Sequence, residues 1–166
     1  MQIDNMTFND TLEVEQHMID IMLEMCIKKD DIADWQFIET DKRKSQYAKT
    51  DGILVKNGNM VASVENRGRY DTSWEYIKKQ GTFLLTEEKL LDNIQLSRIL
   101  QIPFLFCAFF PNDSIYALLK VTNGKGEPTI KYNVEETWAR KNKDTQEKVK
   151  KPNAYIPINQ FKVYEL

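Results

Sequence analysis

The chain has 166 residues, is 42% hydrophobic and 29% charged, and carries a net charge of −2 at pH 7. These are values for one globular domain with a single core, and they exclude a disordered or membrane-embedded chain. The longest apolar run, 102–111, is far too short to cross a bilayer. No basic leader followed by an apolar signal segment opens the sequence. Cys26 and Cys107 both sit in apolar surroundings and read as reduced core residues. Together these features predict a cytoplasmic protein.

The small net charge conceals an asymmetry. Residues 1–40 hold ten acids against Lys28 and Lys29, a balance of −8, so the remainder sums to +6. The positive charge gathers at Lys42, Arg43, Lys44 and Lys49, at Arg67 and Arg69, and between Arg140 and Lys151. Such clustering suits a basic face, and ordinary solvated lysines would give the same composition.

In chain order, residues 7–27 are predicted as a helix, with Asn9 or Asp10 as its cap. Leu12, Glu15, Ile19, Met22 and Cys26 form its buried stripe at steps of three and four. Glu13, His17, Asp20 and Glu24 take the wet face. Trp35 to Thr40 reads as a strand, and a basic loop over 41–48 leads into a hairpin spanning 49–69. Thr72 and Glu75 make a capping box for a short helix that Gly81 stops. An apolar segment, 83–85, precedes a helix over 87–100 with Thr86 as its cap. Residues 102–110 read as a strand covered on both faces, and 115–121 return as its hairpin partner. Residues 127–152 are weakly patterned and suggest a mobile excursion with a strand at 130–134. Closing edge strands are predicted at 155–158 and 161–165. Trp35, Trp74 and Trp138 read as core or boundary residues. No internal repeat or linker divides the chain.

The hairpin carries the chemistry. Glu65 and Arg67 are two apart on one strand and therefore share a face. Asp51 stands near the start of the partner strand. With Asn57-Gly58 as a two-residue turn, Asp51 falls opposite Val64 and the acids face opposite sides. With a three-residue loop, Asn57-Gly58-Asn59, Asp51 falls opposite Glu65, the β-carbons are roughly 5 Å apart, and one cation can bridge the carboxylates. Glu15 joins them only if the first helix packs close to both. With His17 as the single histidine, multi-His zinc sites and His-based catalysis are set aside. CxxC pairs, glycine-rich phosphate loops and G-x-S-x-G are absent as well.

Thr50-Asp51, thirteen intervening residues and Glu65-Asn66-Arg67, set between a first helix and a helix followed by a buried strand, resemble the PD-(D/E)XK superfamily of restriction-endonuclease-like nucleases. The resemblance covers about residues 7–122, with 123–166 as a C-terminal extension of a single nuclease-like domain. It implies an α/β fold with an α-β-β-β-α-β core, a mixed central sheet flanked by helices. It also implies Mg²⁺- or Mn²⁺-dependent phosphodiester hydrolysis, the metal held by Asp51, Glu65 and the Asn66 carbonyl. Asp51, Glu65, Arg67 and Glu15 would be the catalytic residues. Lys89 and Ser97 lie in the long helix that in this superfamily packs behind the site and can add a polar group. Nucleic acid, DNA before RNA, would be the partner, and Lys42, Arg43, Lys44, Lys49, Arg69, Lys141 and Lys143 would meet its phosphates. A homodimer or larger nuclease assembly, of phage or mobile-element type, is compatible with this reading.

Two departures from the superfamily pattern stand out. Position 50 is Thr where that pattern has Pro, and position 67 is Arg where it has Lys. Arginine stays protonated and can only stabilise charge, so the alternative is a catalytically silent nuclease fold that binds nucleic acid or a protein partner.

Overall fold

A computed structural model describes residues 8–40, 50–141 and 145–166, with side chains from residue 13 onward. The chain is an α/β protein with a mixed six-stranded sheet flanked by three helices. Helix α1 (Phe8–Lys29) is followed by three strands, β1 (Trp35–Glu39), β2 (Gly52–Lys56) and β3 (Asn59–Gly68). Helix α2 (Trp74–Gln80), β4 (Thr82–Thr86) and α3 (Glu87–Leu100) connect these to β5 (Phe104–Phe110) and β6 (Ile115–Lys120). A long hairpin, β7 (Asn133–Arg140) and β8 (Lys148–Pro157), and a short β9 (Lys162–Glu165) complete the chain.

The large sheet has the order β1-β2-β3-β5-β6-β9, and a three-stranded sheet has the order β4-β8-β7. Among the described strands only β3 and β5 run parallel, with Glu65 beside Phe106 and Arg67 beside Ala108. A parallel neighbour needs a long crossover, supplied here by α2, β4 and α3.

The core divides by the two-residue parity of β5. Phe104, Phe106, Ala108 and Phe110 face α3 and the small sheet, packing with Phe83, Leu90, Ile94 and Ile156. Cys107 and Phe109 face the other way and pack with Val64 and the Met18, Ile21 and Met22 side of α1. β5 is buried along nearly its whole length, as its unbroken apolar run predicts.

Several details differ from the sequence expectation. The buried face of α1 includes Met18 and Ile21 beside Ile19 and Met22, so the stripe is wider than predicted. His17, exposed on its edge, sets its ring 5.4 Å from that of Phe109. The cap of α2 is Ser73, whose Oγ accepts from the Tyr76 N–H, one residue later than the Thr72 box; Gly81 does close the helix, at φ 76°. Thr86 precedes α3 without a side-chain cap bond. Instead of a mobile excursion with a strand at 130–134, β7 begins at Asn133 and pairs regularly with β8, and the strand expected at 155–158 is the end of β8, central in the small sheet rather than at an edge. Trp138 is 67% exposed, against an expected core or boundary position. No helix among the described residues is long and apolar enough to cross a membrane.

Candidate functional site

The register of the β2–β3 hairpin decides where the acids stand. Asn57 and Gly58 take positive φ values of 49° and 77°, and Lys56 pairs with Asn59, so the loop is the two-residue kind. A bulge then intervenes, because Val55 pairs with Met60 while Leu54 pairs with Ala62, leaving Val61 extra. Gly52 is brought opposite Val64, and Asp51, one step further, meets the stretch around Glu65. The turn is the one that alone would separate the acids, and the bulge restores the parity that brings them together.

Asp51 is tied to both residues that flank Glu65. The Asp51 N–H donates to the Val64 carbonyl at 3.0 Å, and the Asn66 N–H donates to Asp51 Oδ2 at 2.7 Å. A strand residue turns its N–H and C=O toward the same edge, so the Asn66 carbonyl also points to the Asp51 side. The hydroxyl of buried Thr50 donates to the Val64 carbonyl at 2.6 Å and fixes the approach of the acid-bearing strand.

Glu65 is 1% exposed, and its neighbours are ionic. Its Oε1 lies 3.0 Å from Arg67 NH2 and 2.8 Å from Lys89 Nζ. Its Oε2 is buried with no hydrogen-bond partner among the described residues. Burial pushes the Glu65 carboxyl above its ordinary value of 4.5, the Asp51 charge pushes it further, and Arg67 and Lys89 draw it back. A buried carboxylate oxygen beside a second carboxylate, with no donor of its own, is a ready cation ligand. Asp51, Glu65 and the Asn66 carbonyl offer oxygen donors, the class a hard divalent cation would need. No group of three or more His, Cys, Asp or Glu side chains placed to hold a metal occurs among the described residues.

Glu15 belongs to α1, which covers the Val64 and Cys107 face of the sheet. Glu65 shares its face with Phe106, on the α3 side. Among the described residues, the charges that act on Glu65 include those of Asp51, Arg67 and Lys89. Asn66, buried, pairs with Cys107 on the α1 side, and its Oδ1 has no partner among the described residues.

Of the residues expected to meet phosphates, Lys42, Arg43, Lys44, Lys49 and Lys143 lie outside the described residues. Arg69 sets its guanidinium 5.0 Å from the Phe83 ring. Burial lowers its pKa first, the neighbouring Arg67 charge lowers it further, and Asp71 opposes both. Lys141, exposed at the end of β7, is 3.2 Å from Glu147.

Lys89 is the residue that the hairpin pattern alone does not supply. It opens a polar row on α3, Lys89, Asn93 and Ser97, at steps of four along the sheet-facing side. The Asn93 amide donates to the Lys89 carbonyl at 2.9 Å, and Ser97 Oγ lies 2.6 Å from Thr122 Oγ1. Polar residues recurring every fourth position beside Leu90 and Ile94 were the available signal.

The chain matches no protein-family model, and neither curated proteins nor solved structures give a match.

Proposed function

We propose that the protein is a metal-dependent nuclease of the restriction-endonuclease-like type, acting on DNA. The observation that carries this reading is the state of Glu65: a buried carboxylate on which the Asp51 charge acts, with one oxygen on two cations and the other without a partner among the described residues. The order of α1, three antiparallel strands, a crossover through α2, β4 and α3, and a parallel β5 supports it, being compatible with the α-β-β-β-α-β core that the resemblance implies.

Asp51, Glu65 and the Asn66 carbonyl would hold Mg²⁺ or Mn²⁺, which when bound supplies a water of lowered pKa and neutralises phosphate charge. Arg67 and Lys89, both partly open to solvent, hold positive charge where a scissile phosphate would enter. Lys89 brings a lysine to the acidic pair from α3, which offsets the arginine at position 67. The Asn66 N–H keeps Asp51 oriented, and Phe106 and Leu90 in the adjoining core exclude water from the buried side of Glu65.

Titration with Mg²⁺ and Mn²⁺, read by calorimetry alongside nicking of supercoiled plasmid, tests the reading. Saturable binding and metal-dependent nicking, both lost in Asp51→Ala and Glu65→Gln, are expected. Nicking that survives in both variants would overturn it.

A second reading is favoured by the same ion pairs. Arg67 and Lys89 already compensate Glu65, so the domain could bind nucleic acid with no metal and no reaction. Absence of metal binding by the folded protein, with DNA binding retained, would select this version.

A further inference from the structure

We propose that the free end of the β7–β8 hairpin is a binding surface for unpaired nucleotides, with Trp138 as the platform on which a base stacks. β4 pairs with β8 only from Asn153 to Pro157, whereas β7 follows β8 out to Lys148. The stretch from Lys148 to Pro152 therefore extends beyond the small sheet as a two-stranded ribbon. A ribbon of this kind has no core of its own, and beyond Ala154 the face that β8 turns to the core carries a defined set of exposed side chains.

Direct pairing fixes that set. Trp138 lies opposite Lys150 and Arg140 opposite Lys148, so the four share one face. The Trp138 indole is 67% exposed, and the Lys150 ammonium stands 5.8 Å from its ring centre. Glu136, opposite Pro152, is the acid on that face, two residues nearer the small sheet. Lys141 and Glu147, which lie 3.2 Å apart at the far end of the ribbon, follow the other parity. The face thus combines one open aromatic ring with Arg140, Lys148 and Lys150.

Aromatic and basic groups interleaved on an open surface suit a single strand. A splayed base offers a face to the indole while its phosphates meet the cations; a duplex keeps those faces within its stack. The position of the ribbon agrees with this ligand. Thr86, the last residue of β4, pairs with Asn153, and α3, which delivers Lys89 to Glu65, begins at the next residue. The ribbon leaves the small sheet at that same end. This proposal rests on the nucleic-acid reading above and does not require the metal.

The test is fluorescence anisotropy in EDTA, with a labelled oligothymidylate and a labelled duplex of equal length. Trp138→Ala is expected to weaken the single strand about tenfold or more, the loss of one base stack, and the duplex less than about twofold. Trp138→Phe should restore most of the affinity, and the double variant Lys148→Gln/Lys150→Gln should flatten the salt dependence. Because Trp138 is exposed, circular dichroism of the variants should match wild type. Unchanged single-strand affinity in Trp138→Ala, or an equal loss for both oligonucleotides, overturns the proposal. Metal-dependent nicking that persists in either of those cases leaves the nuclease reading in place. Wild-type binding to phosphatidylserine vesicles but to neither oligonucleotide overturns the proposal and removes the nucleic-acid reading with it.

Discussion

Lys89 Nζ and Arg67 NH2 meet the same oxygen of Glu65, at 2.8 Å and 3.0 Å, from two different layers of the fold. Arg67 reaches it from two residues along the same strand, and Lys89 from a helix that lies between β3 and β5 in the chain. The two cations are therefore unequal: one is tied to the hairpin, the other to the docking of α3.

That inequality gives the first expected outcome. Lys89→Met should lower nicking by about 10²–10³-fold, the scale of removing one preorganised charge from a site of this kind. Arg67→Lys should cost about tenfold or less, since a cation remains in place. Because the Lys89 charge holds the Glu65 carboxyl down, its removal should also move the acidic limb of the pH–rate profile to higher pH. Equal losses in both variants would show that Lys89 has no special part.

Glu65 also sets a pH dependence of stability. Its carboxyl is raised in the folded state, by burial first and by Asp51 second. The native protein therefore binds the proton more tightly than the unfolded chain does. The resulting stabilisation is fully present below the ordinary value of 4.5 and is lost as pH rises through the folded value. Glu65→Gln does not titrate, so its Tm relative to wild type should rise by a few degrees between pH 4 and pH 7. Scanning calorimetry across that range measures it. Added Mg²⁺ should raise the wild-type Tm at pH 7 and leave the variant unchanged.

Gly126 and Gly124 differ in what a methyl group would meet. At Gly126, with φ 75°, a Cβ would stand closer than 3.0 Å to the Arg98 backbone N and Cα, atoms of α3 that cannot yield. Around Gly124 the space is open. Gly126→Ala should cost about 2–3 kcal/mol in urea unfolding, from strain and overpacking together. Gly124→Ala should stay within about 0.5 kcal/mol.

Ser97 links the end of α3 to the sheet. Its Oγ donates to the Ile102 carbonyl at 2.5 Å and lies 2.6 Å from Thr122 Oγ1, which accepts from the Phe104 N–H at 2.7 Å. Ser97→Ala should cost about 1–3 kcal/mol, because buried partners lose a bond they cannot replace with water. A double-mutant cycle with Thr122→Val should show coupling above about 0.5 kcal/mol.

Periodicity made the layers legible. The unbroken apolar run of β5 announced a strand covered on both faces, and the steps of three and four in α1 announced its packing side. Asp51, Glu65 and Arg67 were legible as a constellation, because strand alternation ties Glu65 to Arg67. The route by which Asp51 comes opposite Glu65 was not. A two-residue turn was expected to separate them, and a bulge at Val61 leaves no mark in a stretch of ordinary strand residues. The β7–β8 hairpin was hidden for a different reason. Half of it overhangs the sheet, so its residues lack the apolar alternation that burial imposes, and its pairing rests on backbone bonds. Lys89 was named for its helix and not for its contact, since which helical turn meets Glu65 depends on the length of the crossover.

The parallel pairing of β3 with β5 makes completion of the site a non-local event. The hairpin that carries Asp51 and Glu65 closes over a two-residue loop and can form early. Residues 69–103 must be gathered before β5 and α3 reach it, which is the slow, non-local step. Until then the two carboxylates share a solvated hairpin without Lys89. The same docking event that buries Glu65 thus delivers its second counter-charge, and the site is completed only when the domain is.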